Sequence, residues 1–425
     1  MGDFKEFKDK LERSGRKVID DESIRKKTDI WNYYIKSLIS SFGDSIQLDP
    51  ANVEIVVVEE ENLKCNAFVQ KVGKTYFIAI NKYILRFYQD RIQDVFLKND
   101  NYIRLKLFSE ETKSVADMNE LFFKIGGPYY SFFNSPDLKY NIFANIVYNN
   151  ILYLIIFHEF GHIITGQLEN KDSQNVFFEL RNQSLGNLED QGKEFLADYY
   201  GTINTLRTAL CFNTLDLKKF TTVIGLLKFS VWCMLSFFTI GFTEYDLELD
   251  FKNYLEKNSR FKHPPISVRL FYIHLMIDLE VPFHLNKTFR PDWYQRVGSN
   301  AKKGLIYTIQ SHSQHIMMEL IGRECLEKDV ALRYGEDVLN PLTLEYYYEV
   351  RKYASLISKK LQTKSFVKFT VEEEITESEQ VELKKLKEFE KMSKLQDEAL
   401  FYSYLEKIDE EFSQELIELL SEIRN

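Results

Sequence analysis

Two histidines and a glutamate stand close together in an apolar stretch of the sequence. The segment Ile151–Ile164 contains the pattern H-E-x-x-H as His158, Glu159 and His162. Histidines four residues apart lie on one face of a helix, about 6 Å apart along its axis, so both imidazoles can reach one metal ion. Zinc lowers the pKa of a bound water towards about 7, and Glu159 could accept the proton of that water. The spacing therefore predicts a zinc site with Glu159 as the general base.

The cost of burying polar groups favours this interpretation over a chance match. H-E-x-x-H also occurs where the histidines are hydrogen-bonded core residues, and that alternative stays open for the motif alone. Two histidines and a carboxylate are costly to bury in an apolar helix without a partner, and a metal ion is such a partner. Gly161 points the same way, because a helical glycine costs about 1 kcal/mol relative to alanine and is tolerated where another group approaches closely.

A third ligand is expected from a second helical stretch, which reads Glu194-Phe195-Leu196-Ala197-Asp198. Apolar neighbours indicate that this helix face is packed, so Glu194 is the preferred ligand. Asp198 lies four residues further on the same face, where it could accept the ring N–H of a ligand histidine and fix its tautomer. Other carboxylates nearby in the sequence stand in polar, loop-like segments and are weaker candidates: Glu169, Glu179, Glu189 and Asp190.

The sequence pattern around these residues predicts a mostly helical α+β fold with a small N-terminal sheet. Residues 4–42 have the pattern of one charged amphipathic helix with an apolar stripe from Trp31 to Ile39. Three strands follow, with a tight hairpin between the last two: Val53–Val58, Cys65–Lys71 and Thr75–Ile80. From Tyr83 onward the pattern is helical, with breaks at glycine and proline clusters.

The predicted organisation has four parts. They are an N-terminal helical segment at 1–50, a metallopeptidase core at 51–280, an additional helical region at 281–364 and a charged helical tail at 365–425. The tail has apolar residues at helical spacing, which fits a surface helix packed on the body or a helix for an activating partner or self-association. His312 and His315 lie three apart, but they lack a matching carboxylate or thiolate pattern for a second metal site.

Composition excludes several classes of protein. The 425 residues are 44% hydrophobic and 15% aromatic, which indicates a globular core, and the net charge of −9 disfavours nucleic acid as a partner. The four cysteines have no C-x-x-C spacing, and the charged N-terminus lacks a secretory signal. A reducing compartment, the cytoplasm, is therefore expected.

One apolar run, Val223–Phe242, is long enough to span a bilayer and contains a single charge, Lys228. A single span would place H-E-x-x-H and the later His263 segment on opposite sides of a membrane. Lys228 near the centre would also cost about 2.5–3.5 kcal/mol on insertion. A buried helix is therefore favoured, and a membrane-associated protein is kept as an alternative.

Three motifs together resemble the gluzincin peptidases of the HtpX and CAAX-prenyl-protease type. These are H-E-F-G-H at 158–162, E-F-L-A-D at 194–198, and Lys262-His263-Pro264-Pro265 with Arg269 six residues after His263. Asn66-Ala67-Phe68 is similar to the strand that precedes the zinc helix in that family. The form H-E-F-G-H is also similar to the phage-exclusion peptidases of the Lit type, which are cytoplasmic.

The resemblance implies roles for individual residues. It implies one Zn²⁺ per chain bound by His158, His162 and Glu194, with Glu159 as the base and Asp198 behind the ligands. It further implies that His263 and Arg269 flank the site and hold the substrate or the oxyanion, and that Asn66 faces the cleft. The strand Thr75–Ile80, with Tyr76 and Ile78, would form the sheet edge that binds a protein substrate as an extended strand.

The favoured function is therefore a zinc endopeptidase that cleaves an intracellular protein. The family resemblance suggests a defence or stress role such as phage exclusion. One alternative is a membrane-associated quality-control metallopeptidase. A second is a metallo-fold that serves as a binding or sensor module without catalysis.

Overall fold

The computed structural model describes residues 2–41, 47–60, 67–97, 138–169, 176–178, 187–210, 217–236, 251–285, 299–321, 341–361 and residue 380. This part of the chain contains five strands: β1 (Arg16–Ile19), β2 (Val53–Glu60), β3 (Ala67–Val72), β4 (Thr75–Asn81) and β5 (Val176–Phe178). It also contains ten α-helices: α1 (Gly2–Arg13), α2 (Glu22–Ser41), α3 (Lys82–Leu97), α4 (Leu138–Ile164), α5 (Leu188–Ala209), α6 (Leu217–Ser236), α7 (Phe251–Ser259), α8 (Ile266–His284), α9 (Ser299–Glu319) and α10 (Pro341–Leu361). The predicted α+β class is confirmed.

The N-terminal segment differs from the single helix predicted for 4–42. Helix α1 ends where Gly15 adopts a φ of +74°, a left-handed conformation that glycine tolerates without strain. The chain then pairs as β1 with β2 in antiparallel register before α2 begins. The predicted apolar stripe is present within α2, where Trp31, Ile35 and Ile39 are buried.

The strands form one mixed sheet in the order β1-β2-β4-β3-β5. Strands β2 and β4 are parallel, and the other neighbours are antiparallel. The predicted hairpin between β3 and β4 is present, and Gly73 supplies its turn with a φ of +58°.

The prediction that Thr75–Ile80 forms a sheet edge is wrong. Strand β4 pairs with β2 on one side and with β3 on the other, so its backbone groups are already hydrogen-bonded. The side chains of Tyr76 and Ile78 are buried. Because a strand with two partners has no unpaired edge, β4 cannot bind an extended peptide by strand addition.

Helices cover both faces of the sheet. Helix α1 packs on one face, where the ring of Phe7 stacks on Phe77 with 4.2 Å between their centroids. Helices α2, α3 and α4 pack on the other face with the inward side chains of β2, β3 and β4. The segment that carries H-E-x-x-H therefore lies directly against the sheet.

Helix α4 lies at the centre of the fold. Every residue from Ala144 to Leu168 is buried, which explains why its apolar residues do not follow a single stripe. It contacts the sheet, α3, α5 and α6. Helix α5 lies between α4 and α10, so part of the region at 281–364 packs directly beside the segment that supplies Glu194.

None of the helices in the described segments is both long and apolar enough to cross a membrane. Helix α6 covers most of the apolar run at 223–242, and residues 237–242 lie outside the described part. Lys228 of α6 is fully buried, and its Nζ lies 2.7 Å from Oδ1 of Asp278 on α8. The predicted tail at 365–425 lies outside the described residues except for residue 380.

Glycines allow α4 and α5 to approach closely. A Cβ atom on Gly161 would lie 2.8 Å from both Cα and the carbonyl oxygen of Ala197 on α5. A Cβ atom on Gly201 would lie 3.0 Å from the backbone nitrogen of His158 on α4. These contacts involve backbone atoms, which cannot rotate away, so the separation of the two helices depends on both glycines.

Replacing Gly161 by alanine is expected to destabilise the fold by about 1–3 kcal/mol, because the added methyl group overpacks the α4–α5 contact. Alanine also favours the helix by about 1 kcal/mol relative to glycine. The variant is less stable only because the overpacking costs more than this gain. Urea unfolding would measure the difference. Gly2→Ala is the control, since its Cβ would meet nothing within 4 Å and its stability should not fall. A Gly161→Ala protein as stable as the wild type would contradict this account.

Candidate metal centre

The side chains of His158, His162 and Glu194 converge at the crossing of α4 and α5. The two Nε2 atoms lie 3.0 Å apart. Oε2 of Glu194 lies 3.2 Å from Nε2 of His158 and 3.6 Å from Nε2 of His162. All three residues are buried. The structure thus brings together the three predicted ligands. The two histidines come from α4 and Glu194 comes from α5, as predicted.

Hydrogen bonds on the far side of each ring define where the protons lie. Nδ1 of His158 lies 2.7 Å from Oδ1 of Asp198, and a carboxylate can only accept, so this nitrogen carries a proton. Nδ1 of His162 lies 2.8 Å from Oε1 of Gln167. The amide nitrogen of Gln167 donates to Oγ1 of Thr165 and to the carbonyl oxygen of Lys193, which fixes Oε1 as the acceptor.

When each ring is neutral, the proton on Nδ1 leaves a lone pair on Nε2 that faces the other ring. Burial lowers the pKa of His162 to about 4, so near neutral pH this ring does not carry a second proton. Two lone pairs 3.0 Å apart repel each other unless a cation lies between them. This arrangement of donors suits a metal ion and cannot be an ordinary hydrogen bond between neutral histidines.

The spacing of the three atoms also fits tetrahedral coordination. Zinc–ligand bonds of about 2.0–2.1 Å place the ligand atoms of a tetrahedral site about 3.3 Å from one another. The three observed separations of 3.0, 3.2 and 3.6 Å lie on both sides of that value. The group could therefore hold a metal ion with three protein ligands, which leaves a fourth position for water or substrate.

Lys262 and His263 lie beside the carboxylate of Glu194. Nζ of Lys262 lies 3.0 Å from Oε1, and Nδ1 of His263 lies 3.3 Å from Oε2. Burial alone would raise the pKa of the Glu194 carboxyl, but the nearby charge of Lys262 opposes this effect, and the pKa lies well below its usual range. Glu194 is therefore ionised, as a metal ligand must be.

The carboxylate of Asp198 joins three helices behind the ligands. Besides His158, it accepts hydrogen bonds from Nε of Arg269 at 3.0 Å, from NH2 of Arg269 at 2.7 Å and from the hydroxyl of Tyr272. Burial would raise the pKa of Asp198, but the guanidinium of Arg269 and the ring of His158 hold it far below its usual value. The result is an ionised carboxylate that fixes the ring orientation of His158.

The residues to which the family resemblance gave a role differ in how directly they contact the three predicted ligands. His263 is buried and borders Glu194. Arg269 contacts Asp198 through two nitrogens, so it acts on the site through that carboxylate. Glu159 is fully buried beside His158 on α4. Asn66 lies outside the described residues.

Tyr76 has a structural partner. Its hydroxyl donates to Glu169, and Nζ of Lys71 lies 2.7 Å from both carboxylate oxygens of the same residue. Glu169 therefore fastens the segment after α4 to β3 and β4, which gives this carboxylate a role other than metal binding. Ile78 is fully buried in the same hydrophobic core as the ring of Tyr76.

Several residues that the sequence interpretation missed support the site. Gln167 lies just after the turn at Gly166, whose φ of +74° ends α4 and directs the chain back to His162. Tyr272 lies one helical turn after Arg269, a spacing that could have indicated a shared face. Lys262 directly precedes His263 in the motif already recognised, although nothing in the sequence indicated its contact with Glu194.

His312 and His315 do not join a similar group. Both lie in α9, and their rings stack with 5.8 Å between centroids. In the described part of the chain, the only set of three or more metal-binding side chains within reach of one ion is that of His158, His162 and Glu194.

Comparisons of the chain with models of protein families, with curated proteins and with solved structures gave no match.

Replacing Asp198 by asparagine is expected to lower the free energy of unfolding by about 3–5 kcal/mol at pH 7, because Arg269 is left buried without its carboxylate. The pKa of Asp198 is depressed in the folded state, so the ion pair stabilises fully above the ordinary pKa of about 3.9 and less as pH falls below it. The difference from the wild type should shrink by about 1.4 kcal/mol per pH unit below that point.

Urea unfolding at pH 7 and pH 3 would measure this dependence. Asp90→Asn is the control, because Asp90 forms an exposed pair with Arg86 and its removal should cost less than 1 kcal/mol. An Asp198→Asn effect that is small, or that grows as the pH falls, would contradict the proposed ionisation of Asp198.

Proposed function

We propose that this chain is a zinc-dependent endopeptidase of the gluzincin type. The observation that carries the proposal is the convergence of two imidazole lone pairs and one carboxylate oxygen at separations suited to a tetrahedral ion. Two imidazoles and one carboxylate with a fourth open position are the donor set of catalytic zinc sites in peptidases. A bound zinc ion would supply Lewis acidity that activates a water molecule and polarises the carbonyl of a peptide bond.

The protein residues supply the remaining steps. Glu159 accepts a proton from the attacking water and delivers it to the amine that leaves. Asp198 keeps His158 in the tautomer and orientation that the site requires. We expect His263, which borders Glu194, to donate a hydrogen bond to the oxygen on which negative charge develops, a contribution of roughly 3–4 kcal/mol in other hydrolases.

The substrate class is a protein bound in an extended conformation. Because β4 is internal, the two outer strands of the described sheet are β1 and β5. Strand β5 pairs with β3, and β3 contacts α4, so β5 lies on the side of the sheet nearer the ligand helix. We expect the substrate to add to that side. By resemblance to phage-exclusion peptidases, it is expected to be an intracellular protein cleaved in a defence response.

Elemental analysis of the purified protein is expected to find about one zinc per chain. Glu194→Ala and the His158→Ala, His162→Ala double variant should lose it, because each removes a ligand. The matched control is the double variant His312→Ala, His315→Ala, which removes a buried histidine pair and should keep one zinc. A wild type that takes up no metal, even on addition of zinc, would refute the proposal.

Glu159→Gln is expected to keep its zinc and to lose peptide hydrolysis, because the amide cannot accept the proton. The variant should retain its substrate, so a comparison of proteins captured by Glu159→Gln and by the metal-free Glu194→Ala protein would identify candidates. Cleavage of a captured protein by the wild type, and not by Glu159→Gln, would support catalysis. Full biological activity of Glu159→Gln would instead indicate a binding or sensor protein.

A further inference from the structure

The two oxygens of Glu194 face different partners. Oε2 lies near Nε2 of His158 and His162, whereas Oε1 lies 3.0 Å from Nζ of Lys262. The side chain of Lys262 is only 15% exposed, so its ammonium group is largely shielded from solvent. A lysine ammonium is a compact point charge, so it attracts this one carboxylate oxygen as an ion-pair partner.

The backbone before Lys262 is fixed from α5 and α10. The amide nitrogen of Gln191, one turn before Glu194, donates to the carbonyl oxygens of Asn258 and Phe261 at 2.9 Å each. Its amide oxygen accepts from the hydroxyl of Tyr346 at 2.8 Å. Gln191 is fully buried, and Phe261 directly precedes Lys262. The approach of Lys262 to Glu194 is thus held by a buried network, as is typical of groups that support a metal site.

We propose that Lys262 is a positioning residue that restricts Glu194 to binding a metal ion through Oε2 alone. This inference rests on the proposed metal site. A carboxylate can bind an ion through one oxygen or through two. With Oε1 held by the ammonium group, the coordination position beside Oε2 stays open for water and substrate, which a catalytic site requires.

The charge of Lys262 has a second effect. A positive group on the far side of Glu194 repels a divalent cation through a region with little water to screen it. Lys262 therefore lowers the affinity of the site for metal while it keeps the coordination number low. Removing the charge should strengthen metal binding, in contrast to the loss of affinity expected when a purely structural contact is removed.

The test compares Lys262→Met and Lys262→Arg with the wild type, using zinc and cobalt(II) as probes. Chelator competition would give the affinity for zinc, and the visible absorption of bound cobalt would report its coordination number. Lys262→Met is expected to bind zinc about tenfold more tightly, because the repulsion between the ammonium group and the cation is removed. It should also show weaker absorption per cobalt, since Oε1 now coordinates. Lys262→Arg keeps the charge and should resemble the wild type.

Lys71→Met is the matched control, because Lys71 also pairs with a carboxylate, that of Glu169. It should leave both readouts unchanged. If Lys262→Met does not fold, Lys262→Gln is used instead. Its zinc affinity and its cobalt absorption should change in the same directions.

Equal or weaker zinc binding by the neutral variants, with an unchanged cobalt spectrum, would overturn the role of Lys262 while the metal site itself stands. A wild-type protein that binds neither ion would overturn the proposed function and this inference together.

Discussion

The buried carboxylate of Asp198 is the group on which the arrangement of the site depends. It lies on α5, accepts from His158 on α4, and accepts from Arg269 and Tyr272 on α8. An ionised carboxylate is costly to bury, and four donors with the charge of Arg269 offset that cost. Because the donors come from separate helices, the same hydrogen bonds that stabilise the charge also fix the relative positions of α4, α5 and α8.

The close crossing of α4 and α5 gives this network its geometry. Gly161 and Gly201 let the backbones approach where a side chain would not fit. Glu194 can therefore reach the two imidazoles, which lie in the buried part of α4 that begins at Ala144. Burial has a chemical consequence as well, since it keeps His162 neutral near pH 7 and leaves its Nε2 lone pair available to an ion. The close packing of α4 and α5 therefore both brings Glu194 to the histidines and keeps His162 neutral.

Residues from the C-terminal half of the chain also surround Glu194 and contribute charge and hydrogen bonds there. Lys262 faces Glu194 from the segment between α7 and α8, and Gln191 links that segment to Tyr346 on α10. The aromatic ring of Tyr347 packs against Phe195 and Phe271, which adds apolar contacts to the same junction. A helix that the sequence assigned to a separate region is therefore in contact with the elements that hold the site.

The sequence by itself determined the features that depend on local spacing. Histidines four apart, a carboxylate pair four apart and a glycine turn between two strands specify His158, His162, Glu194 and the β3–β4 hairpin, because helix and strand periodicity act over a few residues. Tertiary structure alone decided the position of β4 inside the sheet, the binding of Arg269 to Asp198, and the contacts of Gln167 and Lys262. These depend on pairing and packing between distant segments, where many arrangements satisfy the same local pattern and only burial and charge balance in the complete fold select one.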